Sequence, residues 1–365
     1  MSQPAAVGPV LGLETSCDET AAAVVHCGKV LGQSVATQIP IHRRFGGVVP
    51  EIAARNHLLT VLPTVQAALS QASVAPQQLG GIAVTARPGL IGALLVGVQT
   101  ANALAWAWNL PIVGVDHTAA HVWSVMLQAP GLDAGQSRTP QLPFAALAVS
   151  GGHTSLYRVD GPAELSLLGR TLDDAAGEAF DKVGKLLGLP YPAGPEVDRL
   201  AALGRSGSLR LPRGMLGRQD GAYSFSGLKT AVRLHIEARR GAGERLEGQV
   251  LADLCADFQA AVVEQLVRVT LLTLKRHKLR DLVVAGGVAA NAGLRAALTE
   301  ACRRDRVRLW PVPVAYCGDN GAMVACLGEA LLRAGHRDDP FTLDAQPTGE
   351  VRRATALVPA PGLAP

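Results

Sequence analysis

Aromatic residues are scarce in this chain. Only 4% of its 365 residues are Phe, Trp or Tyr, while 40 are glycine and 48% are hydrophobic. The core must therefore be built from Ala, Val and Leu, with backbones approaching closely at glycines. Stacking capacity for bases is small, so a nucleic-acid partner would be held mainly through its phosphates. Charged residues make up 18%, which with the apolar content excludes global disorder and allows a large buried core. The six cysteines form no CxxC pair and no cluster, which predicts reduced thiols instead of a disulfide frame. No run of about 18 uncharged apolar residues is read anywhere. The opening "MSQPAAVGPVLGLETSCDE" has neither a basic stretch nor a long apolar one. The expectation is a soluble cytoplasmic protein without a membrane partner. Neither the P-loop pattern GxxxxGK[ST] nor a convincing GxGxxG occurs. A net charge of +4 and a pI near 8.8 permit a polyanionic partner without requiring one.

What is present is a repeated plan. Val10–Leu13 reads as a short buried strand, "TSCDET" as a polar turn, and "AAAVVHCGKVLGQSV" as further strands with a turn at Gly28. The plan recurs in "FAALAVSGGHTSLYRV", with a strand over Phe144–Val149, a glycine-rich turn and an alternating strand. "AELSLLGRTLDD" reads as its third strand. Shared architecture without strong identity predicts a duplicated α/β lobe. Between the copies, "PEIAARNHLLTVLPTVQAALSQA" has helical spacing, and "IGALLVGVQTANALAWAWNL" reads as a largely buried helix. The expected division is residues 1–125 as lobe I with the histidine pair, and 126–345 as lobe II with the glycine turns. The last helices of lobe II are expected to pack back toward lobe I, and 346–365 to form a loosely ordered tail.

"VGVDHTAAHVWSV" places His117 and His121 one helical turn apart, so both imidazoles can reach one metal ion. The alternative is two polar residues at a helix start with Asp116 as N-cap. Asp319, in "YCGDNGAM", is either the third ligand or the N-cap of the following helix. Spacing does not choose between these readings. An imidazole–carboxylate set suits iron, zinc or manganese with open positions. The glycine turns "VSGGHT" and "VVAGGVAAN" follow strands and offer backbone N–H groups to an anion. Asp174, Glu178 and Asp181 fall on one helical face, beside Asp173, where like charges repel unless a cation offsets them. Asp18 and Glu19 lie in the first hairpin. Cys17 has no histidine near it in sequence to activate it. Arg43–Arg44, "KRHKLR" and "RRDRVR" could contact phosphates or be plain solvated faces.

Nine segments occur in order: "GLETSCDET", "FGGVVPEIAARNH", "PGLIGALLVG", "DHTAAH", "VSGGHT", "DDAAGEAFDKVGKLLGLPYPAGP", "SFSGLKT", "AGGVAAN" and "CGDNGAM". From about residue 10 to about 335 the chain resembles the bacterial tRNA N6-adenosine threonylcarbamoyltransferase family, formerly called O-sialoglycoprotein endopeptidases. The resemblance implies an actin-like ATPase fold, with two duplicated RNase H-like α/β lobes around a central cleft. It implies transfer of threonylcarbamoyl from threonylcarbamoyl adenylate to N6 of the adenosine 3′ of the anticodon, in tRNAs reading codons that begin with A, releasing AMP. His117, His121 and Asp319 match the family's metal ligands, with Fe2+ expected once per subunit and Zn2+ able to replace it in a purified sample. Ala148, Val149, Ser150, Gly151, Gly152, Asp181, Gly194, Asp198 and Asn291 match its substrate contacts. The implied partners, besides tRNA, are a paralogous inactive subunit and a small ATPase. Ala193 stands in "YPAGP" where glycine is usual. No residue is identified as the general base, though Asp18 and Glu19 are candidates. Three other readings compete: a metalloprotease, disfavoured because no glutamate lies between the histidines; a phosphoryl-transferring ATPase; and a non-catalytic tRNA-binding scaffold.

Overall fold

The computed structural model describes residues 7–128, 139–214, 220–348 and 352–353. Residues 1–6 and most of the expected tail lie outside the described residues.

The two apolar strand runs each seed a sheet. The first sheet contains β1 (Val10–Glu14), β2 (Glu19–His26) and β3 (Lys29–Thr37). A short turn of helix, α1 (Ile39–His42), and the long α2 (Pro50–Ala72) follow. Then come β4 (Gly81–Arg87), α3 (Ile91–Trp108) and β5 (Ile112–Asp116). The strand order is β3-β2-β1-β4-β5, antiparallel across β3-β2-β1 and parallel across β1-β4-β5. After β5 the chain enters α4 (His117–Trp123).

The second half repeats this layout. It runs β6 (Phe144–Val149), β7 (Thr154–Gly161), β8 (Glu164–Arg170), α5 (Ala176–Leu186), α6 (Gly194–Ala201), α7 (Ser226–Gly241) and α8 (Gly248–Arg276). β9 (Asp281–Ala285), α9 (Ala292–Asp305), β10 (Arg308–Pro311) and α10 (Gly321–Arg333) complete it. Its order is β8-β7-β6-β9-β10, again antiparallel on one side of the first strand and parallel on the other. A two-residue strand, β11 (Arg352–Arg353), adds to β8. Identical order and direction in both sheets bear out the duplicated fold. The hairpin plan was legible because the first strand of each copy is a short apolar run, buried along its whole length, and glycines mark turns such as those at Gly28 and Gly151–Gly152.

α10 comes late in the chain but packs on the first sheet, against β1, β2, β4 and β5. Small residues permit this. A Cβ added at Gly321 would lie 2.5 Å from the Ala22 carbonyl carbon, and one added at Gly12 would lie 2.8 Å from the Ala325 Cα. The contact carries Asp319, two residues before α10, to the C-terminal end of β1. We predict that Gly321→Ala costs about 1–3 kcal/mol by forcing helix and sheet apart. It should also weaken metal binding, because Asp319 moves with the helix. Thermal melting with a metal titration reads both effects; a variant as stable and as metal-competent as wild type would refute the argument.

One expectation needs correction. α3 is not largely buried: seven of its 18 residues are, while Ile91, Leu95 and Trp106 are exposed. It is also long and apolar enough, by length and composition, to cross a membrane, with a mean hydropathy of 1.3. Gln99, Thr100 and Asn102 break the run, so it does not read as a continuous apolar stretch. In the fold it packs against α2 and β4.

Candidate metal centre and active site

β5 ends in Asp116, whose carboxylate accepts the Ala119 N–H at 3.0 Å and caps α4. The cap starts the helix at His117, so His117 and His121 face the same way. Both are buried, and their rings meet edge to face with centroids 4.6 Å apart. Asp319 closes the group across 198 residues of sequence. Its Oδ1 lies 3.0 Å from His121 Nε2 and 3.6 Å from His117 Nε2. The N-cap role left open for Asp319 belongs to its neighbour: the Asn320 side chain accepts the Met323 N–H at 2.8 Å. Asp319 is thereby released for the cluster.

The residues fit a metal ion. Ligand atoms held about 2.0–2.2 Å from one ion stand roughly 3–4 Å from each other, as Asp319 Oδ1 does from each imidazole nitrogen. The three donor atoms lie within 4.8 Å of one another, and the set of two nitrogens and one oxygen suits a divalent transition metal.

Glu14, at the end of β1, was not singled out from the sequence. It is fully buried, and its Oε2 lies 3.0 Å from His117 Nδ1 and accepts the Thr85 hydroxyl at 2.6 Å. Its Oε1 accepts the Ser16 N–H at 2.6 Å. Ser16 Oγ also lies 3.1 Å from His117 Nδ1. This arrangement turns His117 Nε2 toward Asp319 and keeps Nδ1 as the donor. The one available signal was a glutamate inside an otherwise apolar strand, since Glu is almost never buried without a partner. Burial disfavours charge on His117, but Asp319 and Glu14 outweigh it and push its pKa up to about 9. Burial likewise works against the Asp319 carboxylate, yet His117 and His121 hold it well below the usual carboxyl range.

The "TSCDET" turn adds Cys17, Asp18 and Glu19. Burial, with Asp18 and Asp319, pushes the Cys17 thiol far up, so it is no nucleophile at neutral pH. Burial and the Asp319 charge raise Asp18. Burial, with Asp18 and Asp319, pushes Glu19 up to about 7 despite a 2.8 Å hydrogen bond from Thr37. Its other oxygen is buried without a partner. An unfolded glutamate ionises near 4.3. Between about 4.3 and about 7 the unfolded chain therefore releases a proton that the folded chain keeps. Stability falls as pH rises through that window and stays lower above it. Glu19→Gln should melt higher than wild type above about pH 7 and match it below the window. A difference in melting temperature independent of pH would show that Glu19 is not the titrating group.

The glycine turns lie beside this cluster. Ala148 and Val149 end β6, and Ser150 accepts the Gly177 N–H at 3.2 Å through its carbonyl. A Cβ at Gly151, Gly152 or Gly287 would meet nothing within 4 Å, so these backbones border open space. Gly286 has a φ of +94 and abuts the Val149 carbonyl, which sets the two turns side by side at the ends of paired strands. Strand C-termini of this kind are where α/β sheets bind ligands. Burial and the charge on His117 depress the His153 pKa, which ties the first turn electrostatically to the histidine cluster.

Asp181 Oδ1 accepts the Ala193 N–H at 2.7 Å, just before Gly194 opens α6. Asp198 accepts the Ala292 N–H at 2.9 Å, and Asn291 caps α9 through the Leu294 N–H at 2.8 Å. These residues thus converge on the α5–α6 loop and the start of α9. Ala193 is tolerated in place of glycine because its φ is −88 and its methyl packs against Gly184.

The carboxylate row does not share one helical face as the spacing predicts. α5 begins at Ala176, so Asp174 lies in the preceding turn. Lys182 is the offsetting cation, 2.6 Å from Asp174 and 2.8 Å from Glu178. Asp173 instead accepts the Phe225 N–H at 2.7 Å and the Ser226 hydroxyl at 2.8 Å, next to the start of α7. The runs after residue 275 include paired surface arginines: Arg303 with Glu300, Arg304 with Asp305 and Arg308 with Asp281. A second group with ligand chemistry, His26, Cys27 and Glu329, already holds a cation, because Arg333 lies 2.7 Å from Glu329 and 3.1 Å from Cys27 Sγ. A cavity of about 790 Å³ is bordered by Asp116 and Thr118 but not by His117, His121 or Asp319. It is separate from the histidine–carboxylate cluster.

Two lobes of matching topology, with a histidine–carboxylate cluster and open glycine turns beside it, define a metal-competent protein of the actin-like ATPase fold. Solved structures share that fold. HypF in its phosphate- and nucleotide-bound form superposes with a TM-score of 0.57 at 14% identity, over 91% of this chain and 47% of its own. An activator of 2-hydroxyisocaproyl-CoA dehydratase from Clostridium difficile gives 0.50 at 12% identity, over 90% and 98%. The chain belongs to the tRNA N6-adenosine threonylcarbamoyltransferase family, whose sequence profile matches residues 29–326. A relative of that name in Sorangium cellulosum is 52% identical over 96% of this chain and 97% of its own. Another in Trichlorobacter lovleyi is 49% identical over 93% and 96%.

Proposed function

We propose that this chain transfers threonylcarbamoyl from threonylcarbamoyl adenylate to N6 of the adenosine 3′ of the anticodon in tRNAs reading codons that begin with A. The observation that carries the reading is the convergence of His117, His121 and Asp319 beside the open glycine turns, in a chain of this family. His117, His121 and Asp319 would hold one Fe2+ per subunit, with Zn2+ able to take its place. When bound, the ion supplies a Lewis acid for the threonylcarbamoyl carbonyl. Gly151 and Gly152 would offer backbone N–H groups to the acyl phosphate, with Ala148, Val149 and Ser150 setting that turn at the end of β6. Asp181, Gly194, Asp198 and Asn291 would hold the nucleoside.

The N6 amine attacks the carbonyl carbon, a C–N bond forms, and the bond to the phosphate oxygen breaks to release AMP. Because adenine N6 is a weak nucleophile, alignment carries much of the rate. Asp18 and Glu19 are the candidates to take the N6 proton; burial raises both carboxyls, Glu19 up to about 7.

Two partners follow from the same reading: a paralogous inactive subunit and a small ATPase, acting together in the cytoplasm. Leu58, Leu59 and Leu62 on α2, with Ile91 and Leu95 on the adjoining α3, are exposed and give the first of these an apolar surface to cover. A protease reading gains nothing from Glu14, which is fully buried behind His117 and hydrogen-bonded on both oxygens.

Reconstitution tests the proposal. The chain is combined with an adenylate-forming enzyme, threonine, bicarbonate, ATP and tRNA, together with the two partners. The tRNA is then digested and analysed by mass spectrometry. Threonylcarbamoyladenosine should form only when the chain is present; its formation without the chain would refute the assignment.

A further inference from the structure

Resting on that reading, we propose that Arg43, Arg44 and Phe45 form the rim that docks the anticodon loop. Phe45 stacks on an unpaired base there, and the two arginines contact flanking phosphates.

The segment is a single 3-10 turn between α1 and α2. It is anchored below to the active-site turn. The Gln38 N–H donates to the Asp18 carbonyl at 3.0 Å, and Gln38 Oε1 pairs with His42 at 3.2 Å. His42, fully buried, also accepts the Val49 N–H at 3.3 Å. Above, the turn reaches the other lobe, where Arg43 Nε donates to the Tyr191 carbonyl at 3.1 Å. A Cβ on Gly46 would lie 3.8 Å from Lys185 Nζ on α5. Burial, with Asp18 and Asp181, raises the Tyr191 pKa, so this bridge stands beside the carboxylates of the cleft. The turn therefore crosses between the lobes at the edge of the reaction site.

Phe144, Phe180, Phe225 and Phe258 are buried; Phe341 and Phe45 are exposed, and Phe45, at 57%, is the one set in the turn that bridges the lobes. Arginines 303, 304 and 308 pair with carboxylates of this chain, but the one hydrogen bond described for Arg43 goes to a backbone carbonyl. An exposed aromatic next to two arginines, in a turn that bridges the lobes, matches what binds single-stranded nucleic acid: a face for a base and charge for its phosphates. The acceptor adenine must leave its stack to present N6, and a neighbouring base held on Phe45 would keep the loop open.

The test is binding of an anticodon stem-loop RNA to the full chain with its partners, alongside transfer kinetics and metal content. Phe45→Ala should weaken RNA binding, and raise KM for tRNA, on the order of tenfold. Phe45→Trp should restore both. The double substitution Arg43→Ala, Arg44→Ala should lower the slope of log affinity against log salt by about one to two. Metal content should stay at the wild-type level. Unchanged RNA affinity in both variants overturns the proposal, as does a loss in Phe45→Ala that Trp fails to restore. If wild type binds the stem-loop but transfers nothing, the catalytic reading fails while the docking rim stands.

Discussion

Alanine at position 121 is expected to abolish transfer and metal binding together while leaving a folded protein. His121 is 3% exposed, and its Nε2 supplies the shorter of the two imidazole contacts to Asp319, at 3.0 Å. Losing an outer-shell partner of a metal ligand already costs about 10–100-fold in affinity, and losing a ligand should cost more than that. The transfer rate should fall on the order of 10²–10³-fold or further, as it does when one preorganised charge-stabilising group is removed. Alanine suits a helix interior, so α4 should persist. Its Asp116 cap is untouched, and the main cost is a small cavity. Elemental analysis, single-turnover transfer and thermal melting on the same sample separate these effects. A variant that keeps its metal and its rate would sink the assignment of the cluster. One that loses both only because it unfolds would be recognised by its melt, and Asp319→Asn would then repeat the test at the half-buried ligand.

Glu14 gives the second large effect. A carboxylate buried without partners costs several kcal/mol, and here His117, Thr85 and the Ser16 N–H offset that cost. Glu14→Ala removes all three contacts at once. It leaves the Thr85 hydroxyl and the Ser16 amide unsatisfied, at about 1–3 kcal/mol each. It also frees His117 to rotate, so metal affinity should drop about 10–100-fold. Glu14→Gln separates charge from geometry. The amide oxygen can still accept a hydrogen bond, so most of the stability should return while metal affinity recovers only in part. The readouts are denaturant unfolding of the metal-free protein and metal competition with a chelator. If Gln and Ala weaken the metal equally but differ in stability, the charge of Glu14 is what matters. If neither alters affinity, Glu14 serves the fold alone.

Much of this site was legible residue by residue. The His117–His121 spacing and the Asp116 cap are local, and the structure keeps both. The glycine turns after β6 and β9 were equally plain, because a glycine pair at the end of an apolar run marks where a strand breaks into a turn. Asp319 was legible only as one of two readings, since Asp319 and Asn320 both suit a helix N-terminus, and the choice between them depends on which one faces the histidines. The carboxylate row was misplaced for a related reason. Helical spacing joins Asp174 to Glu178 only if the helix starts early enough, and α5 starts at Ala176. Glu14 passed unnoticed because its partners lie at Thr85 and His117, far along the chain.

By itself the sequence determined the alternation of strands and helices, their caps, the duplicated hairpin plan and the pairing of the two histidines. Those features follow from torsional preferences and side-chain periodicity, which act over a few residues and leave a local imprint. Only the tertiary structure decided that Asp319 meets His121, that Glu14 stands behind His117, and that Arg43 reaches Tyr191. Each of these contacts spans roughly 100 residues or more. They depend on how α10 settles on the first sheet through Gly12 and Gly321, and on how the two lobes face each other. Such contacts come from burial and close packing of the whole chain, and those forces mark no short stretch of sequence with their outcome.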